Sequence, residues 1–167
     1  MTTKRKVFII ILSIAIVLTL AFIWTRSLST GIKSAEESNN AYDTSVEVVR
    51  DVAGEHPAEV YKETITEHIF RKLAHFFEYS VLGLEVNLLF LCIFGYKPYN
   101  ILWCSIFGFC SGGIDELIQY FIVGRNSRFL DVIIDFAGFS FYTIILTIIP
   151  IIIVLTKKKT DKSEKSE

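Results

Sequence analysis

VFIIILSIAIVLTLAFIW, the stretch from Val7 to Trp24, is eighteen residues without a charge and follows Lys4, Arg5 and Lys6 directly. A run of this size suits the roughly 20 apolar residues that cross a bilayer as a helix. A secretory signal is the competing reading, because Ser27-Leu28-Ser29 offers small residues for cleavage. The run exceeds the roughly 7–15 residues of a signal core, so an uncleaved anchor is expected.

Three more charge-free blocks follow, at Val86–Tyr96, Pro98–Ile114 and Phe136–Thr156, whereas residues 25–74 hold nine of the 18 acids. Apolar residues make up 51% of the 167 and charged residues 21%, and this segregation excludes a water-soluble protein with one core. The blocks predict further spans at about 74–94, 101–122 and 132–155. The expected fold is all-α, a four-helix transmembrane bundle with an outer amphipathic helical segment between spans one and two. In chain order that gives a basic tail over 1–6, span one over 7–24, an acidic outer segment over 25–73, a core of three spans over 74–155 and a charged tail over 156–167.

The net charge of −1 comes from basic residues spread over tails and loops, so no nucleic-acid partner is expected. Cys92, Cys104 and Cys110 all fall inside apolar runs without a C-x-x-C spacing, which predicts core fillers and neither disulfides nor a zinc knuckle.

Orientation follows from basic residues in the short flanks. Lys4, Arg5, Lys6, Lys97 and Lys157, Lys158, Lys159 and Lys162 fall on one side of a four-span chain, so both termini are expected in the cytoplasm, with the chain multi-pass in its membrane. The acidic segment and the 123–131 turn then lie outside. Within the outer segment, Val48, Val52, Ile65, Ile69 and Leu73 alternate with Glu47, Asp51, Glu55, Glu59, Glu63 and Glu67 at helical spacing, and Gly54 with Pro57 predicts a split into two helices. The acids read as a solvated face, or else as an attractant for a cationic ligand. His56 and His68 read as surface residues.

Ionisable groups inside spans cost roughly 2.5–3.5 kcal/mol each, so they usually face one another or a wet cavity. Arg71, His75 and Glu78 share one helical stripe at the start of span two. Asp115, Glu116 and Gln119 lie near the end of span three, and Asp131 and Asp135 near the start of span four. The alternating topology brings all three sets to one depth in the outer leaflet. Gly83, Gly108, Gly112, Gly113 and Gly138 would let the helices approach closely around them. A purely structural clasp is the competing reading, with Arg71, Arg125 and Arg128 ion-paired to Asp131. Glu85 falls deeper on the same stripe, with Asn87 or span three as its expected partner.

Arg71-Lys72-Leu73-Ala74-His75-Phe76-Phe77-Glu78-Tyr79 with Leu82-Gly83, then Asp115-Glu116-Leu117-Ile118-Gln119, then Gly124-Arg125-Asn126-Ser127-Arg128 with Asp131 and Asp135, resembles the VanZ-like family of small bacterial membrane proteins. The match covers about residues 68–142, and the Ser27–Ser38 stretch is more loosely similar to that family's serine-rich outer segment. At Asp135 the family often has Asn, so this chain carries a carboxyl group there in place of a neutral amide. The founding members are associated with low-level resistance to teicoplanin and related lipoglycopeptides, so the resemblance implies a role at the surface of a bacterial plasma membrane. It supplies no reaction.

Two functions of different class follow from the residues. In the first, an outer polar pocket with Arg71, Lys72, Tyr79, Gln119, Arg125, Arg128, Asp131 and Asp135 binds a lipoglycopeptide or a lipid-linked wall precursor among the membrane lipids. In the second, His75, Glu78, Asp115 and Glu116 are catalytic in a membrane-embedded hydrolase or transferase acting on a lipid-borne phosphate or ester, as an acid/base pair or a metal site. Cofactor and metal stay open, as does enzymatic activity itself. Ser80 and Ser111 have no nucleophile elbow around them. A transporter is disfavoured by four spans without an inverted repeat.

Overall fold

The computed structural model describes residues 2–125, 128–150, 152, 153 and 156. Its described residues form α1 (Thr3–Ser27), α2 (Gly31–Ala53), α3 (Glu55–Thr64), α4 (Glu67–Phe94), α5 (Tyr99–Tyr120) and α6 (Phe129–Thr143), the last continued by a π-helical turn, Ile144–Ile148. Four helices, α1, α4, α5 and α6 with its π-helical turn, are long and apolar enough to span a membrane. The fold is thus the expected all-α bundle. The expected limit of span four at Leu155 and the tail from Lys157 onward lie outside the described residues.

Side-chain pairs fix the directions of the helices. Arg5 donates from Nε to the Cys92 carbonyl (2.7 Å) and from Nη2 to that of Ile93 (3.2 Å), Thr19 donates to Glu85 (3.1 Å), and Arg26 pairs with Glu78. Helices α1 and α4 are therefore antiparallel, and Arg5 also satisfies carbonyls that a helix end leaves unpaired. Lys72 meets Asp131, Ser80 donates to the Gly138 carbonyl (3.1 Å), and Asn87 donates to Thr143 (2.9 Å), so α4 and α6 run side by side in parallel. The described start of α1 and end of α6 lie at one end of the bundle. The polar ends of α4, α5 and α6 lie at the other.

Lipid offers helices no hydrophobic gain on association, so close packing and interhelical hydrogen bonds must hold them. Helix α1 buries Leu12, Ile16, Ile23 and Ser27 along one stripe, while Ile10, Ile14, Val17 and Leu18 face outward. Against it lie Tyr79, Leu82, Val86, Cys104 and Phe139. The α4–α6 contact is the most extensive and depends on two missing side chains. A Cβ on Gly83 would stand 2.3 Å from the Phe139 carbonyl oxygen, and one on Gly138 would stand 2.2 Å from that of Phe76. Deeper in the bundle, Asn87 also receives the Thr147 hydroxyl (3.2 Å), so one buried amide ties α4 to two turns of the fourth span.

Several expectations need correction. Gly113 has open space where its Cβ would be, so Gly108 and Gly112 make the close approaches of α5 without it. Cys104 is buried, but Cys92 is only partly so and Cys110 is exposed, because α5 turns that face away from its neighbours. Glu85 is met by Thr19 of α1 and not by Asn87, whose amide is engaged with Gly83, Thr143 and Thr147.

The outer segment breaks at Gly54, whose φ of 95° ends α2 in a conformation that L side chains rarely adopt. A second break, at Ile65 and Thr66, carries no glycine or proline, and the Thr66 side chain accepts from the Ile69 N–H to start α4. Tyr42, Val46 and Ala58 are the buried residues of α2 and α3, and Tyr42 packs on Tyr61 and Phe70. The expected apolar face was off by part of a turn: Val48, Val52, Ile69 and Leu73 are exposed. Because α2, α3 and α4 have separate axes, the six acids do not form one continuous stripe, and Glu55 pairs with Arg50 (2.7 Å).

Candidate functional site

At the end of the bundle opposite Thr3, α4, α5 and α6 deliver His75, Asp115 and Asp135 to one point. One ligand atom of each lies within 4.8 Å of the other two. Asp115 is fully buried and Asp135 is 1% exposed, and the place of each follows from its helix. Asp135 sits one turn after Asp131, on the face that packs against Gly112, where a Cβ would lie 3.2 Å from the Cβ of Asp135. Asp115 faces α1.

Asp115 is well supported. Ser27 Oγ donates to its Oδ1 (2.5 Å), and Gln119 Nε2, one helical turn on, donates to its Oδ2 (2.8 Å). Asp135 differs. The His75 imidazole approaches with Nδ1 3.6 Å from Oδ1, and neither carboxylate oxygen has a hydrogen-bond partner among the described residues. A buried carboxylate without donors is costly, more so at membrane depth.

A cavity of about 110 Å³ opens beside this cluster, with Asp135, Glu116 and Gln119 in its lining together with Arg71, Lys72, Arg125 and Asp131. A second cavity of about 200 Å³ shares His75, Arg71 and Arg125, and adds Arg26, Ser27 and Glu78. The cations are not equivalent. Lys72 pairs with Asp131, and Arg26 with Glu78. Arg125 donates to the Ser29 carbonyl (3.2 Å), the Arg26 carbonyl (2.8 Å) and Gln119 Oε1 (3.3 Å). Burial, and after it the charges of Arg71 and Arg26, holds the Arg125 guanidinium below its usual range, against the opposite pull of Asp115 and Glu116. Arg71 makes only a 3.4 Å contact with His68 Nδ1, and forms no ion pair among the described residues.

Other sequence candidates stand elsewhere. Tyr79 is wholly buried and donates to the Ser111 carbonyl (3.2 Å), so its ring is core. Arg128 offers its backbone N–H to Glu116 Oε2 (3.0 Å) while its side chain is exposed. The pairing with Asp131 that the competing clasp reading gives to Arg128 is made instead by Lys72, which α4 places opposite. Glu78 belongs to the second cavity and not to the cluster. His68 is exposed, as expected, but it lines the first cavity.

Residues of α1 and the start of α2 were missed. Ser27, Arg26, Gly31 and Ser34 all contribute to these cavities or to Asp115. The available signal was that Arg26 and Ser27 end an apolar span on the same side as the other polar sets. Gly31 is held close to the turn after α5. Its N–H donates to the Val123 carbonyl (3.1 Å), and a Cβ on it would collide with the Gly124 carbonyl.

No curated protein and no solved structure matches the chain. The VanZ/LLP1 family model matches residues 8–152, nearly the whole length, and with its four apolar helices and their shared polar cluster the chain is a membrane protein that belongs to this family.

Proposed function

We propose that the protein binds the anionic headgroup of a lipid-linked wall precursor, or of an acidic lipoglycopeptide, in the outward-facing polar cavity, and so contributes to resistance to teicoplanin-type antibiotics. One observation carries this reading: Arg71 lines a cavity beside the bundle's polar end and, among the described residues, has no carboxylate paired to it. A guanidinium fork matches phosphate or carboxylate in two bonds, and Arg125 adds positive charge beside it while Lys72 is paired with Asp131. The basic tails support an orientation with both termini in the cytoplasm of a bacterial cell, which turns the cavity toward the drug and its target.

The test is binding of a pyrophosphate-linked polyprenyl lipid to the purified protein in nanodiscs. Loss of a charged hydrogen-bond pair of about 1.5–3 kcal/mol predicts at least about tenfold weaker binding by Arg71→Ala. Equal affinity in that variant would end the headgroup reading.

A second reading is favoured by His75 lying close to two buried carboxylates beside the cavity. Such a set suits acid/base work in a membrane-embedded hydrolase or transferase acting on a lipid-borne phosphate or ester. Turnover of the same lipid, abolished by His75→Ala with binding retained, would favour it.

A further inference from the structure

We propose that His75, Asp115 and Asp135 form a site for one divalent transition-metal ion, zinc or manganese, with an open coordination position toward the cavity. Charge is the first ground. Two carboxylates are almost completely buried within one 4.8 Å cluster, and among the described residues neither has a lysine or arginine paired to it, Asp135 having only the His75 imidazole at 3.6 Å. Asp115 is bonded to the neutral Ser27 and Gln119, while Lys72 and Arg26 are taken by Asp131 and Glu78. One divalent ion would neutralise the pair without bringing in another side chain.

Ligand chemistry is the second ground. Imidazole suits zinc and its neighbours, and carboxylates extend the range to manganese. Three protein ligands and one free position are the usual form of a reactive zinc site. Ligands about 2.1 Å from an ion at tetrahedral angles stand roughly 3.4 Å apart. His75 and Asp135 are already at 3.6 Å, and the ligand atoms of all three lie within 4.8 Å of one another, so side-chain rotations, chiefly of Asp115, would close the set.

The third ground is the asymmetry between the two carboxylates. Asp115 has the outer support usual for a metal ligand, a hydroxyl and an amide that fix its plane. Asp135 has both oxygens unpartnered among the described residues, lines the cavity and is 1% exposed. A carboxylate so placed lacks only the ion. Arg71 faces the same cavity, so a lipid phosphate would bridge ion and guanidinium. That extension rests on the headgroup reading above, whereas the ion site does not.

Metal loading of the purified full chain, without added lipid, tests the site separately from headgroup binding. After chelation and dialysis against zinc, manganese or cobalt(II), elemental analysis should find about one ion per chain, and bound cobalt should show visible d–d absorption with an imidazole ligand. His75→Ala and Asp135→Asn should each weaken loading at least tenfold, and Ser27→Ala about tenfold. Glu47→Gln removes an exposed negative charge that lines neither cavity and should change affinity less than about twofold. Loading well below one ion per chain with all three metals would overturn the proposal, as would unchanged loading in His75→Ala and Asp135→Asn or binding of magnesium alone. Should those variants fail to fold, the wild-type stoichiometry and cobalt spectrum decide.

Discussion

Ser27 and Asp115 are joined, hydroxyl to carboxylate, across 88 positions of sequence at 2.5 Å. The bond fastens the last turn of α1 to the polar end of α5, so the anchor helix takes part in the site. Ser27→Ala would leave one buried carboxylate oxygen short of a donor, at a cost of about 1–3 kcal/mol. The cycle with Asp115→Asn should show a coupling of about 0.5–3 kcal/mol, read from unfolding in mixed micelles. Simple additivity would mean the contact carries no energy.

Gly138 and Gly113 should respond in opposite ways to alanine. At Gly138 the new methyl meets the Phe76 carbonyl at 2.2 Å, and at Gly113 it meets nothing. Overpacking should cost Gly138→Ala at least about 1–3 kcal/mol, whereas Gly113→Ala should be neutral or gain up to about 1 kcal/mol from helix propensity. Thermal unfolding of both variants in one detergent checks the contrast.

Lys72 and Asp131 touch across α4 and α6. Cysteines at these two positions, with Cys92, Cys104 and Cys110 replaced, should therefore crosslink efficiently in membranes. Position 52 paired with 131 should not, since Val52 is 83% exposed on the outer hairpin. Failure of the 72–131 pair would mean that the parallel α4–α6 arrangement is not the one adopted in the bilayer.

Alanine at His75, Asp115, Gln119 or Arg71 should remove protection in a lipoglycopeptide susceptibility assay at normal expression. Glu47→Ala and Glu59→Ala should keep it, because exposed single charges are worth about 0–1 kcal/mol. If all four cluster variants protect as well as wild type, the polar end of the bundle is a structural clasp.

A tag after Ser163 should stay unlabelled in intact cells, and one at Val52 should be labelled. The reverse pattern would turn the cavity to the cytoplasm and remove the route by which an external drug reaches it.

Periodicity and charge made much of this arrangement legible. Asp131 and Asp135, or Asp115 and Gln119, show their shared face at once by four-residue spacing, and alternating spans place those faces at one level. The partners were less legible. Nothing in the sequence says that Thr19 meets Glu85 or that Lys72, among several cations, meets Asp131, because these depend on how each helix is rotated against its neighbour. Rotation is set by small-residue contacts such as Gly83 on Phe139, which no single-helix pattern contains. The outer hairpin misled for a related reason. Its apolar positions outnumber those that the two aromatic contacts of Tyr42 can use, so Val48 and Val52 look like core and are not.

At Gly31 and Gly124 the chain touches itself main chain to main chain. A wall built of side chains can give way by a change of rotamer, but this part of the cavity's rim cannot. To widen it, the start of α2 and the turn after α5 must separate, breaking the Gly31–Val123 hydrogen bond as they go. The opening there has a fixed gauge, and any adaptation to a bulkier guest falls to lining side chains such as Arg71 and His68.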